Sequence, residues 1–472
     1  MNSIAKNYIN GNWCISPLEI IPIQNPSTPQ QVVGYFHPAD AETADSALSA
    51  AADSSMLWAQ MQIGDRKLLI QSLLDRLTEN RGDIAGIITL ENGKTIAESY
   101  AEVDGAIAEG QFQLDFVANG LVENIGTHEI RHQPLGTVLL ITPWNFPLAT
   151  IIRKLIPALA AGNCAVVKPS EFTPFTAATL FNIIHKVGFP PGVVNLVLGD
   201  GPVVVPPIIK HKQLRAVSFT GSNATGNILA DLVGSRDVRL QMEMGGSNAV
   251  VVLADADLDL AAQGIVSNGF ACAGQWCTGT SRAIIEAPVY DNLLEKLDRL
   301  AKKIILGNGM DSTTTMGPVI SQQRQKAHIS TVSTAISEGA SLVHGGQKPD
   351  LPGYFFPPTI LADITSEMSI SQEEMFGPII MAMKAANVDE AIDIANNTPF
   401  GLSFSIYTDN MHLAEDTIAK INAGMCHINL PTAYRAPELP VSGWKASGRG
   451  IAESGRQASD FFTKPKAIYR IS

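Results

Sequence analysis

Hydrophobic and polar positions follow two different patterns along the chain. Residues 42–115 carry apolar residues at the spacing of a helix face, as in DRKLLIQSLLDRLTENRGDIAGIITLENG, which ends on Gly93. From Gly136 onward, short β-rich runs alternate with helical stretches such as FPLATIIRKLIPALAAG and TAATLFNIIHKVG. This alternation predicts an α/β protein built from parallel β-α-β units, with helices covering both faces of its sheets.

The β-rich runs form two successive series. The first comprises TVLLITP, CAVVKPS, VVNLVLG and AVSFTGS, and the second includes NAVVVLADADLD, SRAIIEA, GPIIMAMK and SFSIYT. Two α/β units in succession predict two domains with a cleft between them. The segment NGLVENIGTHEIRHQPLG, residues 119–136, is predicted to be an extended hairpin, and the tail DFFTKPKAIYRIS is also predicted to be extended.

Composition then narrows the class of protein. A chain of 472 residues with 45% hydrophobic and 17% charged residues is typical of a globular protein of two or three domains. The net charge of −12 at pH 7, without a cluster of Lys and Arg, argues against a nucleic-acid partner.

Arg153 and Lys154 interrupt the longest apolar region, so no membrane span is predicted. The amino terminus lacks the apolar core of a signal peptide, and five scattered cysteines suggest no disulfide framework, which together predict the cytoplasm.

The stretch FACAGQWCTG raises the question of a reactive thiol, because it holds both Cys272 and Cys277. No basic residue adjoins Cys277 in sequence, so any activation of its thiol would have to come from the fold. The alternative is an inert buried thiol, and the stretch by itself does not decide between them.

Two other stretches carry groups suited to acyl chemistry. In LQMEMGGSN, Met242 and Met244 would partly desolvate Glu243 and raise its pKa toward that of a useful general base. The alternative is one exposed carboxylate at the end of a helix or strand. In TPWNFP, a rigidly held Asn145 amide could donate to a developing oxyanion, or Asn145 could simply cap the following helix.

Two turns after strands are candidates for cofactor contacts. AVVKPSE places Lys168 and Glu171 beyond a strand, where they could grip ribose hydroxyls or form a surface ion pair that caps the next helix. AVSFTGSNATG has a turn at Gly221 and a helix predicted to begin near Gly226, which would aim backbone amides at a phosphate. An ordinary strand-to-helix turn is the alternative, and no GxGxxG fingerprint accompanies it.

Taken together and in order, TPWNFP, KPSE, FTGS, MEMGG, GQWC and EEMFGP resemble the aldehyde dehydrogenase superfamily, from YINGNW to GWKASGRG. The resemblance implies a dinucleotide-binding domain over residues 1–118 and 137–245 and a catalytic domain over residues 246–446. It also implies a small β oligomerisation element formed by the hairpin 119–136 and the tail strand 460–472. A homodimer or homotetramer is expected, since an isolated hairpin leaves unpaired edges.

The resemblance also implies a mechanism. Cys277 would attack the aldehyde carbon, and the Asn145 amide with the Cys277 N–H would hold the oxyanion of the thiohemiacetal. Hydride transfer to the nicotinamide would leave a thioester on Cys277. Glu243 would then deprotonate the water that hydrolyses this thioester, which releases a carboxylic acid. No metal site is predicted.

Cofactor binding without GxGxxG is a property that the resemblance implies, with NAD as the cofactor and NADP as the alternative. A carboxylate at the ribose repels a 2′-phosphate, so Glu171 favours NAD. The residues that the resemblance assigns to the cofactor are Ile141, Thr142 and Trp144 in the groove, Lys168 and Glu171 at the adenosine ribose, Gly221 and Ser222 at the pyrophosphate, and Glu374 with Phe376 in EEMFGP at the nicotinamide side.

The substrate is expected to be a short acidic semialdehyde. Relatives acting on semialdehydes of dicarboxylic acids resemble this chain in carrying an arginine at the position of Arg153, whose fork could bind the far carboxylate. Arg435 could add a second contact, and Phe146 and Trp276 are expected beside the substrate. The alternative is that Arg153 pairs with a neighbouring carboxylate and the substrate is a neutral aliphatic or aromatic aldehyde.

The sequence differs from the family pattern at some positions near the substrate, and two other functions have to be compared with aldehyde oxidation. Ala271 stands where succinate-semialdehyde relatives carry another arginine, and Val441 and Ser442 replace the usual loop aromatic. A coenzyme A-acylating relative would not need Glu243 as a hydrolytic base. A cofactor-free cysteine hydrolase or acyltransferase would need a histidine beside the thiol, and none of the nine histidines lies near Cys277 in sequence.

Overall fold

The structure of the protein is a computed structural model, which describes residues 4–471. Residues 1–3 and 472, which belong to the predicted domain and tail ranges, lie outside the described residues. The α-helices are α1 (Ala41–Gln60), α2 (Ile63–Glu79), α3 (Arg81–Asn92), α4 (Ile96–Gly120), α5 (Ala149–Ala161), α6 (Pro174–Val187), α7 (Gly201–Lys210), α8 (Asn223–Val233), α9 (Leu258–Phe270), α10 (Tyr290–Ala301), α11 (Gln322–Ser337), α12 (Val388–Asn396), α13 (Met411–Ile418) and α14 (Gln457–Phe462).

The strands fall into several sheets. In chain order they are β1 (Ile4–Ala5), β2 (Asn7–Ile9), β3 (Asn12–Cys14), β4 (Ile21–Asn25), β5 (Thr28–Phe36), β6 (Val122–Ile125), β7 (His128–Pro134), β8 (Thr137–Ile141), β9 (Cys164–Lys168), β10 (Val194–Leu196), β11 (Leu214–Thr220), β12 (Arg239–Glu243), β13 (Asn248–Val252), β14 (Thr280–Glu286), β15 (Ser341–His344), β16 (Thr359–Ala362), β17 (Ile379–Ala385), β18 (Phe400–Gly401), β19 (Ser403–Tyr407), β20 (Met425–Ile428), β21 (Trp444–Lys445), β22 (Gly448–Gly450) and β23 (Thr463–Ile468).

The first large sheet has the strand order β22-β12-β11-β8-β9-β10-β2-β3. Its central strands β12, β11, β8, β9 and β10 run parallel, and antiparallel strands close both edges. Every residue of β8 and β9 is buried, as expected for strands with helices on both faces. The predicted first strand series is therefore confirmed.

The second large sheet has the order β15-β16-β17-β14-β13-β19-β20 and is parallel except for β15 at one edge. The buried hydrophobic side chains form two separate clusters, one within residues 5–244 plus Phe461 and Phe462, and one within residues 249–423. The α/β prediction is confirmed. Two cores support a boundary near residue 245, and the division into named domains stays a proposal.

Local signals explain the end of α3 and the beginning of α4. Gly93 ends α3 in the left-handed conformation, with φ 92°, as its position in the sequence predicted. The next helix, α4, begins with a capping box in which Thr95 and Glu98 exchange side-chain and backbone hydrogen bonds. Among residues 4–471, no helix combines the length and the apolar character that crossing a membrane requires.

The predicted hairpin and tail strand need two corrections. Residues 119–120 are the last residues of α4, so the antiparallel hairpin begins at Val122. Residues 460–462 are not extended but belong to α14, because burying Phe461 and Phe462 in the first core overrides their strand-like pattern. The extended tail begins at Thr463, where β23 pairs with β7.

Candidate active site

A cavity of about 520 Å³ opens beside the ends of strands β8, β11 and β12. Ligands in α/β proteins bind beyond the carboxyl ends of parallel strands, so this is the expected place for a site. Twelve of the predicted site residues line the cavity: Trp144, Asn145, Phe146, Arg153, Gly221, Ser222, Glu243, Trp276, Cys277, Glu374, Phe376 and Arg435.

The loop that carries Cys277 is held in an unusual conformation. Cys272 and Ala273 have positive φ values of 51° and 55°, a region that non-glycine residues seldom adopt. The Cys272 N–H donates to Glu98 Oε1 at 2.6 Å. The Gln275 side chain donates to the Cys272 carbonyl at 3.0 Å and accepts from the Ile320 N–H at 2.8 Å. These bonds tie the loop to its surroundings and offset its strain.

Asn145 is buried beside this loop. Its side-chain amide donates to the Gln275 carbonyl oxygen at 2.9 Å, which uses one of its two N–H groups. The following helix α5 has Leu148 as its N-cap residue without a side-chain cap bond, so the alternative of a helix-capping Asn145 is wrong. The amide is instead fixed between the β8–α5 loop and the Cys277 loop.

A buried ion pair that the sequence analysis missed supports the Asn145 loop. The ammonium of Lys94 lies 2.7 Å from Glu102 Oε2, and both side chains are at most 1% exposed. Lys94 also donates to the Asn145 carbonyl at 2.6 Å. Glu102 Oε1 accepts from the N–H groups of Leu148 and Ala149 at 2.9 and 3.1 Å, which caps α5. Burial alone would lower the pKa of Lys94, but the neighbouring Cys272 and Glu102 raise it.

Glu243 ends β12 and is buried, so the alternative of an exposed carboxylate is wrong. Its Oε2 accepts no hydrogen bond from any described residue, although the residue lines the cavity. Burial raises the pKa of Glu243 well above its usual value, and the nearby Glu453 carboxylate adds to this effect. A carboxyl group with a raised pKa beside a cavity is suited to exchanging protons with water.

The thiol of Cys277 is held in its protonated form by its surroundings. Burial raises the pKa of Cys277 to about 11, the guanidiniums of Arg153 and Arg435 oppose this rise, and Glu374 and Glu243 add to it. Little thiolate is therefore present at neutral pH, and a nucleophilic role for Cys277 would require a base or an approaching electrophile to shift this equilibrium.

Arg153 and Arg435 share one carboxylate, that of Glu109 on α4. Glu109 Oε1 lies 3.0 Å from Arg153 Nε and 3.2 Å from Arg435 Nη2. The alternative expectation that Arg153 pairs with a neighbouring carboxylate is thus confirmed as far as the pairing goes. Both guanidiniums nevertheless line the cavity together with Glu109. Sequence reasoning missed Glu109.

The predicted aromatic residues pack against each other in two pairs in the cavity wall. Phe146 and Trp276 pack with ring centroids 4.9 Å apart, and the Lys94 ammonium lies 4.1 Å from the centre of the Phe146 ring. Trp144 and Phe376, which also line the cavity, meet edge to face at 5.5 Å. Two aromatic pairs, each including a sequence neighbour of Asn145, therefore contribute to the cavity wall.

Glu374 is fixed by a glycine turn. Its Oε1 accepts from the Gly246 N–H at 3.1 Å, and a Cβ at Gly245 would meet the Glu374 carboxylate, so a side chain there would displace this carboxylate from its present position. Burial raises the pKa of Glu374 to about 7. Ser222 accepts from the Thr225 N–H as N-cap of α8, which begins at Asn223 and not near Gly226 as predicted.

The remaining four predicted residues lie side by side at the ends of β8 and β9. Ile141 pairs with Lys168 across these strands, and the Thr142 N–H donates to the Lys168 carbonyl. Lys168 is buried and lies 3.5 Å from the half-exposed carboxylate of Glu171. This pair does not cap the next helix, because Glu91 accepts the first N–H groups of α6.

Comparisons with known proteins agree with this architecture. The sequence model described as "Aldehyde dehydrogenase family" matches residues 13–468. Alpha-ketoglutaric semialdehyde dehydrogenase of Bacillus subtilis (strain 168) is 36% identical over 475 residues, which cover 98% of this chain and 97% of that protein. Retinaldehyde dehydrogenase 3 of Mus musculus is 34% identical over 474 residues, which cover 98% of this chain and 92% of that protein.

Solved structures give the same result. A crystal structure of betaine aldehyde dehydrogenase from Staphylococcus aureus in complex with NAD+ superposes with a TM-score of 0.95 at 33% identity, covering 98% of this chain and 94% of that one. Similarity in sequence and in fold thus extends over nearly the whole length of each protein. The chain belongs to the aldehyde dehydrogenase family.

Proposed function

We propose that this protein oxidises a short acidic semialdehyde to the corresponding dicarboxylic acid, with NAD as the hydride acceptor. The observation that carries the proposal is one cavity lined by a thiol, a buried amide, a protonatable carboxyl and two guanidiniums, from Cys277, Asn145, Glu243, Arg153 and Arg435. The first three supply the chemistry of aldehyde oxidation, and the last two supply recognition of an anion.

The strand ends beside the cavity fit a dinucleotide. The hydroxyl of Thr142 is buried without a hydrogen-bond partner among the described residues, and the Glu171 carboxylate is half exposed next to Lys168. Lys168 and Glu171 would hold the adenosine ribose, Ser222 at the start of α8 would meet the pyrophosphate, and Glu374 would hold the nicotinamide ribose. Ile141, Thr142, Trp144, Gly221 and Phe376 complete the assignment. When bound, NAD supplies the acceptor for the hydride of the aldehyde carbon.

The chain's own residues account for the other steps. The Cys277 thiol gives up its proton to water as its sulfur bonds to the aldehyde carbon, and the free N–H of the Asn145 amide, with the Cys277 N–H, stabilises the resulting oxyanion. Loss of hydride leaves a thioester on Cys277. Glu243 takes a proton from a water molecule, whose oxygen attacks this thioester and releases the acid and the Cys277 thiol. A buried carboxyl with a raised pKa suits this exchange of protons.

The choice of an acidic substrate rests on the arginine pair. The Bacillus subtilis relative is named for α-ketoglutaric semialdehyde, an aldehyde with one carboxylate, whereas the mouse relative is named for neutral retinaldehyde. Arg153 and Arg435 in the cavity wall favour the acidic class. Oxidation of neutral aliphatic or aromatic aldehydes is the second candidate, supported by the engagement of both arginines with Glu109.

Rival chemistries have less support. A cysteine hydrolase would need a histidine beside the thiol, and no histidine is among the described residues that line the cavity. Transfer of the acyl group to coenzyme A would leave the position and raised pKa of Glu243 without a role.

We further propose a cytoplasmic location and a homodimer or homotetramer. The oligomer is supported by the sheet β23-β7-β6, whose edge strand β6 is exposed along its whole length and carries the exposed apolar residues Val122 and Ile125.

The experiment that tests the function is NADH formation from NAD across matched aldehydes. Succinate, glutarate and 2-oxoglutarate semialdehydes and a sulfonated aldehyde would be compared with neutral aldehydes of equal length. The proposal expects clearly higher kcat/KM for the acidic set. A flat or neutral-preferring profile would retain the dehydrogenase and remove the acidic substrate, and no NADH with any aldehyde would remove the oxidation itself.

A further inference from the structure

One carboxylate is built into the cavity wall between the two arginines. Glu109 contacts Arg153 Nε through both oxygens, at 3.0 and 3.1 Å, and Arg435 Nη2 through Oε1 at 3.2 Å. The hydroxyl of Ser454 also donates to Glu109 Oε1 and accepts from Arg435 at 3.0 Å. The side chain of Glu109 is 8% exposed. A substrate carboxylate entering this part of the cavity would therefore meet a carboxylate of the protein.

Glu109 uses only part of each guanidinium. It contacts Arg153 through Nε, and the nearest other acidic atom to Arg153, Glu453 Oε2, lies 3.8 Å from Nη1, beyond hydrogen-bond distance. Within residues 4–471, the Nη groups of Arg153 and the Nε and Nη1 of Arg435 donate no hydrogen bond to protein. These N–H groups belong to side chains that line the cavity, so they are free to bind an anion there.

The ionisation states of Glu109, Arg153 and Arg435 determine the net charge of this cluster. Arg153 and Arg435 are cations at any physiological pH. Burial by itself would raise the pKa of Glu109, but the two guanidiniums outweigh burial and lower it to about 2, so this carboxylate is ionised. The three side chains together carry one net positive charge.

The carboxylate of Glu453 leaves this balance unchanged. Glu453 is buried against the ammonium of Lys154, and an ion pair adds no net charge. The net charge of +1 on Glu109, Arg153 and Arg435 is therefore not cancelled by Glu453.

On the basis of the proposed oxidation of acidic semialdehydes, we propose that Glu109 sets the number of negative charges that the substrate site accepts. Its ion pairs with Arg153 and Arg435 leave one net positive charge and free guanidinium edges for one substrate anion. The substrate class is then an aldehyde with a single carboxylate or sulfonate. A dianionic aldehyde would bring a second charge out of water without a partner, so it is discriminated against.

The test compares three aldehydes at saturating NAD: glutarate semialdehyde with one charge, glyceraldehyde 3-phosphate as a dianion, and neutral pentanal. In the unmodified protein, glutarate semialdehyde should give the highest kcat/KM. Glu109→Gln keeps the shape and an acceptor oxygen but leaves two positive charges. The ratio of kcat/KM for the dianion to that for the monoanion should rise about tenfold, with pentanal changed least.

Two controls separate charge from shape. Ser454→Ala removes a hydrogen bond to Glu109 but keeps its charge, so the dianion-to-monoanion ratio should stay as in the unmodified protein. Glu79→Gln, at an exposed position on α2, makes the same change in total charge away from the cavity and should also leave the ratio unchanged. A rise of equal size in either control, or an unchanged or lower ratio in Glu109→Gln, overturns the assignment.

The unmodified protein provides a test that does not depend on folding of the variant. The protein could prefer glutarate semialdehyde to pentanal and yet show equal kcat/KM for the dianion and the monoanion. In that case Glu109 does not set the number of charges that the site accepts, and the proposed function stands. If the protein prefers pentanal to glutarate semialdehyde, the proposed function fails and the role of Glu109 fails with it.

Discussion

The carbonyl oxygen of Asn145 accepts a hydrogen bond from the buried ammonium of Lys94, at 2.6 Å. The partner of this ammonium, Glu102, holds the first N–H groups of α5 immediately after the Asn145 loop. The backbone that carries the amide proposed to bind the oxyanion is therefore fixed by an ion pair in the fold's interior. Lys94 acts as a positioning residue, because it contacts the loop and not the reacting atoms.

Replacing Lys94 should impair catalysis more than substrate binding. In Lys94→Met, Glu102 loses its counter-ion and the Asn145 loop loses one anchor. We expect kcat to fall about tenfold or more while KM changes little, and unfolding to become easier by about 3 kcal/mol. Steady-state kinetics and chemical denaturation check this. Lys67→Met, which breaks an exposed ion pair with Asp115, is the matched control and should leave kcat unchanged. A folded Lys94→Met protein with normal kcat would exclude the positioning role.

Alkylation of Cys277 should depend steeply on pH. Because burial raises the pKa of Cys277 to about 11, the thiolate fraction grows as pH rises toward that value. The rate of inactivation by iodoacetamide should therefore increase about tenfold per pH unit between neutral pH and pH about 10. Mass spectrometry would identify the labelled residue, with Cys277→Ser as the control. Inactivation that is independent of pH in this range would contradict the raised pKa.

Glu243 is expected to act after the thioester has formed. Glu243→Gln removes the base but keeps the size of the side chain, so one equivalent of NADH per active site should form rapidly. Steady turnover should then fall about 100-fold or more. Stopped-flow fluorescence of NADH measures both phases. Hydroxylamine, a stronger nucleophile than water, should restore turnover in the variant. Loss of the rapid phase as well would mean that Glu243 is needed before the thioester.

Much of the fold could be predicted from sequence, and so could the residues proposed to react, because those signals are local. The strands around β8, β9 and β13 are short continuous apolar runs, which only a sheet covered on both faces accommodates well. Cys277, Glu243 and Asn145 were predicted from short motifs whose order resembles one family. The structure places all three in the wall of one cavity.

The charged partners of these residues could not be predicted, because their contacts are distant in sequence. Arg153 meets Glu109 across 44 residues, and Lys154 meets Glu453 across 299. A signal did exist on α4, where Glu98, Glu102 and Glu109 are spaced by four and seven residues and so share one helix face. Such a row normally faces solvent, and only the packing of α4 against α5 turns it inward.

Arg153 is expected to distinguish acidic from neutral aldehydes. Arg153→Leu should raise KM for glutarate semialdehyde about tenfold or more and KM for pentanal by about twofold at most. Arg153→Lys is the matched variant: it keeps the charge but loses the planar fork, so it should recover only part of the difference. Thermal unfolding of both variants checks whether the fold is destabilised when the buried Glu109 loses one of its two arginine partners. Equal increases in KM for the two aldehydes would remove Arg153 from substrate recognition.

Glu171 should determine the choice between NAD and NADP. Its carboxylate lies 3.5 Å from the Lys168 ammonium and is half exposed, so a phosphate placed at the same ribose would meet a negative charge. Glu171→Gln removes this repulsion and leaves Lys168 free to attract the phosphate. The ratio of kcat/KM with NADP to that with NAD should then rise about tenfold, since like charges at hydrogen-bond range cost more than 1 kcal/mol. The same measurement with Glu79→Gln, far from the strand ends, should show no change. A protein that already prefers NADP before substitution would refute the assignment, because its Glu171 carboxylate could then not be facing the ribose.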